Sequence, residues 1–327
     1  MDAKTAIGEY EPEDWLLDPQ QHAARMAPEA GPLQRILQGA APKVIIEQYE
    51  KADAEAGKYQ NDYKRIARLE IYLSSIAAII GAIVLYLASE ATSTSDIIRQ
   101  GLLLVQVLCI AGSVAAKYQI HSNNSFINWQ QSRTAAETAR IELFETVCGL
   151  RKDSPKETAQ GDELPLLPLQ LEYFLRYQLR VQLNYYNQRG EQHKKAARQY
   201  VTIGSAITFI ATVGASLGGM AADFGDWVSV AALAGLVAPV LLAAQTSLSR
   251  LNQDERNAAR YAITHRHLQN YEKKADTIRE FANADNVDGV HAYIRSVNEL
   301  ISVEHKEWME QQMSGTATTT SENRDPA

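Results

Sequence analysis

The chain has 327 residues, of which 46% are hydrophobic and 22% charged, and a formal net charge of -7; its mean hydropathy of -0.27 would suit a soluble protein. That average is misleading, because the apolar residues are gathered into four runs while the remainder is polar and helix-forming. No basic excess argues for nucleic acid, and two cysteines, Cys109 and Cys148, exclude a disulfide framework and suit a reducing compartment.

Residues 1–32 hold Asp2, Glu9, Glu11, Glu13, Asp14, Asp18 and Glu29 against Lys4 and Arg25, a local charge of -5. With Pro12, Pro19, Pro28 and Pro32 among them, they read as a disordered acidic arm with at most a turn around Trp15. No basic stretch leads into an apolar one here, so no cleavable signal peptide is expected and insertion would rest on internal segments. Residues 43–70 read as helix and lead without a break into the first apolar run, Ile71 to Ser89.

The second run spans Gln100 to Ala116, the third Gln199 to Ala222 and the fourth Trp227 to Ser249, none containing Asp, Glu, Lys or Arg. Crossing the hydrocarbon takes roughly 20 residues at about 1.5 Å each; all four qualify, the second once Ile97 and Ile98 are included. Cations cluster on one side of the runs. Lys58, Lys64, Arg65 and Arg68 precede the first, Lys117 follows the second, Arg189, Lys194, Lys195 and Arg198 precede the third, and Arg250, Arg256 and Arg260 follow the fourth. The short connections hold Glu90, Asp96, Asp223 and Asp226 with Arg99 alone among basic residues, so the positive-inside rule puts both tips outside and both termini inside.

After the second run a helical pattern continues through Trp129, Arg133, Glu137 and Arg140 to about Leu150. Residues 151–170, with Pro155, Gly161, Pro165 and Pro168, read as a linker. Leu171, Phe174, Leu175, Val181 and Tyr185 then mark one face of a helix leading into the third run. Beyond the fourth run, Tyr261 to Phe281 keeps helical spacing, a break spans Ala282 to Gly289, and Ile294, Val297, Ile301 and Trp308 recur as in a coiled coil. From Ser314 the Thr-rich tail reads as disordered. The expected fold is therefore all-α, with four transmembrane helices in two hairpins that extend into a bundle of long cytoplasmic helices. Its expected divisions are 1–32, 33–150, the linker 151–170, 171–313 and 314–327.

No phosphate loop, nucleophile elbow, Cys-x-x-Cys or His-Glu-x-x-His motif is present, so no catalytic, cofactor or metal site is expected. His265 and His267 stand two apart on a helix, too far around it to share a metal. Within the runs, Ser205, Thr208, Thr212 and Ser216 fall on one helical face and are candidate pore-lining residues, as is Gln106, an amide that wants a partner in hydrocarbon. Packing of the helices through these hydroxyls is the competing reading. Gly214 with Gly218, Ala231 with Gly235 and Gly112 with Ala116 are small-residue pairs suited to close helix packing. Pro239 is a candidate hinge.

Polar helix, apolar hairpin and polar helix occur twice, with Lys64-Arg65-Ile66-Ala67-Arg68 echoed by Lys194-Lys195-Ala196-Ala197-Arg198. Trp129, Arg133, Ala136, Glu137 and Arg140 after the first hairpin, and Ala258 to Tyr271 with Val297, Glu304 and Trp308 after the second, resemble SLATT domains, two-helix membrane effector domains of bacterial nucleotide-signalling systems. The tandem resembles the type 3 plus type 1 arrangement. The resemblance implies a multi-pass protein of the bacterial inner membrane that acts in antiviral defence. It would self-assemble into a homo-oligomer in the lipid bilayer, form a conditional pore or disrupt the membrane, and answer to a nucleotide-sensing or nucleotide-synthesising partner. A membrane-anchored scaffold that recruits a cytoplasmic protein is the alternative.

Overall fold

The computed structural model describes residues 1–88, 93–218 and 226–321. Among the described residues the chain is all α, without a strand. It packs as two units, one made of Met1–Gly57, Trp129–Gly190 and Arg260–Ala327 and the other of Lys58–Asn128 and Glu191–Ala259. Each draws on both sequence halves. The expected succession of domains 33–150 and 171–313 is thus not how the chain packs, because the polar helices of each half bury their apolar stripes against those of the other.

The first unit opens with the N-terminal residues. Residues 1–32, expected as a disordered arm, are folded: α1 (Ala3–Ile7), a 3-10 turn (Pro12–Trp15), α2 (Pro19–Arg25) and a second 3-10 turn (Pro28–Ala30), followed by α3 (Gly31–Leu37). The four prolines stand in the first turns of these pieces, where a missing N–H costs nothing and the fixed φ is already helical. The acids cap them. Asp2 accepts from the Thr5 amide at 2.8 Å and Asp18 from those of Gln20 and Gln21 at 3.0 and 3.1 Å. Helices this short do not stand alone, and here Ile7, Leu33, Ile36 and Leu37 are fully buried in the common core.

The core centres on α7 (Leu166–Phe174), which is buried nearly all round. Packed with it are α6 (Ser125–Val147), through Leu143, Phe144 and Val147, and the later helices α10 (Asp254–Glu272), α11 (Ala275–Asn283) and α12 (Val287–Ser321). Helix α12 passes Ser314, where disorder was expected, and continues to Ser321; residues 322–327 lie outside the described residues. The irregular 151–165 stretch is tethered by Arg35, whose guanidinium meets Glu157 at 2.9 Å and Glu163 at 2.7 Å.

Between α7 and α8 (Val181–Gly218) the helix winds as a π stretch over Leu175–Arg180. This shifts the expected face. Gln182 and Tyr186 are buried in place of Val181 and Tyr185, because a π turn holds one residue more than an α turn and a spacing counted across it slips by one.

The second unit contains the apolar parts of α4 (Ala40–Ala88), α5 (Ser93–Ser122), α8 and α9 (Asp226–Asn252). Among the described residues three segments are long and apolar enough to cross a membrane: Ala40–Ala88, Asp96–Val147 and Leu233–Glu272. The third sequence run is helical to Gly218, and its last four residues lie outside the described residues.

Candidate functional site

Helix α8 turns one face to α9 and the opposite face outward. At the contact, a Cβ added to Gly214 would stand 2.5 Å from the Ala231 carbonyl oxygen and 2.8 Å from the Gly235 nitrogen, and one on Gly235 would stand 2.9 Å from the Ala215 nitrogen. Two backbones therefore meet where only glycines fit. The surroundings of Gly218 lie outside the described residues. Towards the other end of the pair, the Gln245 amide donates to the Tyr200 carbonyl and lies against Gly204, Asn252 donates to the Tyr200 hydroxyl at 3.1 Å, and His193 meets Asp254 at 2.6 Å.

Ser205, Thr208, Thr212 and Ser216 are on the outward face, and all four are exposed. Each hydroxyl donates to the carbonyl one turn back: Ser205 to Val201, Thr208 to Gly204, Thr212 to Thr208 and Ser216 to Thr212, at 2.8 to 2.9 Å. The stripe is thus no part of the α8–α9 seam, and its polarity is capped by its own helix.

Gln106 takes a different place. It sits on the α5 face turned to α4, with its amide nitrogen 2.9 Å from where a Gly81 Cβ would be, and Leu73 lies 3.0 Å from that of Gly112. Ser113 and Ala116 continue this buried face of α5. Gln106 thus fills a notch within its own helix pair, apart from the hydroxyl stripe. Gln245, which sequence reasoning did not single out, lies against a glycine in the same way; as the only amide inside the fourth run, it could have been found by the same argument. Helix α9 passes through Pro239 unbroken. The backbone breaks instead at left-handed residues directly after the second helix of each pair, Asn124 (φ 48°) and Gln253 (φ 52°). Such a turn is cheap for Asn and uncommon for Gln.

In the first unit the charged residues of both halves meet. Arg133 contacts Asp53 at 3.1 Å and Glu137 at 2.6 Å, and Glu137 also contacts Arg140 at 2.5 Å. Close by, Arg260 meets Glu304 at 3.0 Å, and the buried Tyr186 hydroxyl donates to Glu304 at 2.8 Å. Burial raises the pKa of Glu304, against the opposing pull of Arg260 and Tyr186. Trp129 is buried beside this region, whereas the side chain of Trp308 lies outside the described residues.

A second buried ion pair holds the N-terminal segment. Arg176, on the π stretch, donates to Asp14 at 2.7 and 3.0 Å and to the Ile7 carbonyl at 2.6 Å. Gly8, at φ 84°, leaves the space this guanidinium occupies. His22 stacks on Tyr177 at 3.7 Å and bonds to the Tyr173 hydroxyl and the Leu16 carbonyl. Among the described residues no cluster of His, Cys, Asp or Glu is arranged to hold a metal ion.

The α8–α9 pair is two apolar helices in close backbone contact, flanked by polar helices. Residues 174–308 match the family of SMODS and SLOG-associating 2TM effector domain 1. This supports a SLATT domain, a membrane effector domain of defence systems, in the second half. The SLATT segment begins at Phe174, at the start of the π stretch, and contains the hydroxyl stripe, the Gly214–Gly235 contact and the Arg260–Glu304 pair. Arg133, Glu137 and Arg140, which complete the ionic cluster, precede it, as does the whole first half for which a type 3 domain was expected. No curated protein and no solved structure matches the chain.

Proposed function

We propose that the protein is a bacterial inner-membrane effector of a nucleotide-signalling defence system, with four spans in two hairpins and both termini inside, which self-associates into a conditional pore. The tandem reading of the first half as a second SLATT domain belongs to this proposal. One observation carries it: within the SLATT segment a hydroxyl face runs along an apolar helix and points away from the neighbouring helix. In the form described here, each hydroxyl is satisfied by its own carbonyl, so the face can rest against lipid at little cost. When copies associate, the faces would be brought together and the hydroxyl oxygens could hold water. At native abundance the trigger that brings copies together would come from a partner that senses or makes a nucleotide; high density in the membrane would do the same by mass action. The same self-capping favours the second reading, a scaffold that anchors a cytoplasmic partner without conducting.

Thr208→Val with Thr212→Val keeps shape and removes two hydroxyls. In cells expressing equal membrane amounts, the parent should collapse the membrane potential, and the double variant should do so less through dewetting of the narrowed path. A variant as depolarising as the parent would assign the stripe to lipid contact; a parent that leaves the potential intact would favour the scaffold.

A further inference from the structure

The polar face of α8 does not begin at Ser205. In steps of three or four it runs Lys194, Arg198, Thr202, Ser205, Thr208, Thr212, Ser216, with Lys195 on its flank. Lys194, Lys195, Arg198 and Thr202 are all exposed. They border a shallow hollow of about 580 Å³ that also includes Glu191 and Ile203. Lys194 is paired with Glu191 at 3.1 Å, whereas Lys195 and Arg198 make no ion pair among the described residues. From Gln192 to Gly218 the chain has no carboxylate.

Resting on the pore reading above, we propose that the passage along this face conducts anions, selected at its inner mouth by Lys195 and Arg198. The hydroxyls are neutral and can turn to donate or accept, so they set no sign. The sign is set where charge is concentrated, and each added copy brings two further uncompensated cations to the mouth. Rings of Lys or Arg select anions in this way, because their potential raises the local anion concentration and repels cations. Snorkelling to lipid phosphate would employ the same side chains without any effect on permeation.

The test uses the purified full chain in planar bilayers of uncharged phosphatidylcholine under a potassium chloride gradient, so that lipid charge plays no part. The parent current should reverse near the chloride equilibrium potential. Lys195→Gln with Arg198→Gln removes both charges while keeping polar, helix-favouring side chains and should lower the chloride-to-potassium permeability ratio roughly tenfold, the lower end of what charged clefts achieve. Lys195→Glu with Arg198→Glu should move reversal towards potassium. Arg256→Gln, an exposed cation on α10 and so not one of the α8 row, should leave reversal unchanged. A parent that already reverses near potassium, or charge variants with parental reversal, would overturn anion selection and leave the pore standing. A chain that inserts and carries no current would overturn both.

Discussion

A single buried guanidinium shows what the N-terminal segment depends on. Arg176 is 3% exposed; burial alone would lower its pKa, yet Asp14, with Tyr177 and Glu11, together more than compensate and it stands raised. Such a pair adds little net stability, but loss of one partner strands a buried charge, which costs about 3 to 5 kcal/mol. Beside it, burial lowers His22 to about 4, despite the carbonyl and carboxylates around it. A histidine in the unfolded chain titrates near 6.5. Between these values the unfolded chain binds a proton that the folded one refuses, so this contribution is intact above about 6.5 and is lost as pH falls towards 4. The full loss is about 3 kcal/mol. Hydrogen exchange over residues 1–37, corrected for its intrinsic pH dependence, should therefore quicken between pH 7 and pH 4.5. His22→Phe, which keeps a ring on Tyr177, should flatten that dependence; equal protection of the parent at both pH values would sink this account. None of this docking was legible in composition. Acid and proline suggested disorder, and the signal that distinguishes the two is positional: Asp18 directly before Pro19, and Glu11 before Pro12, are helix starts.

At the scale of the helix, glycines separate into those that a side chain would disturb and those it would not. Gly214 faces backbone atoms of Ala231 and Gly235 that cannot yield without parting α8 from α9, whereas a Cβ on Gly101 meets nothing within 4 Å. Gly214→Ala should lower the thermal stability of the detergent-solubilised protein by about 1 to 3 kcal/mol, the usual cost of overpacking. Gly101→Ala should raise it by up to ~1 kcal/mol through helix propensity. Equal effects at the two sites would mean that the close contact is not formed. Small residues at spacing four were readable as packing positions; their partner was not, since the sequence pairs Gly214 with Gly218 on one helix and the fold sets Gly214 against Gly235 on the next. The hydroxyl stripe had the converse history. Its periodicity was plain, but whether it faced a neighbour or looked outward depended on where α9 packs, which one helix cannot reveal. The π stretch was invisible for a related reason: Leu175 to Arg180 has ordinary helical composition, and only the burial of Tyr186 in place of Tyr185 betrays the extra residue per turn.

For the whole molecule, hydropathy marks the apolar runs, while the packing that crosses the sequence halves is encoded in pairs such as Arg176–Asp14 and His291 with the Cys148 carbonyl, which no local window contains. The proposed topology follows from the cations instead: the polar helices carry nearly all of them, and the two short connections between runs hold Arg99 alone. It can be read in intact cells from a chain in which Cys109 is replaced by Ala. Cys148 can stay, because it is fully buried and burial pushes its thiol pKa up, so that little thiolate is available to react. Single cysteines introduced at Thr94 or Gly225 should then be modified by a membrane-impermeant thiol reagent added outside, and ones at the exposed Ala159 or at Thr316 only after permeabilisation. The two halves are tested separately by this set. Labelling at Thr94 without labelling at Gly225 would break the symmetry between the hairpins and leave one of them outside the bilayer. Labelling at Ala159 in intact cells would reverse the orientation, and with it the assignment of Lys195 and Arg198 to an inner mouth. The charge argument for anions would then survive with its entrance on the opposite side.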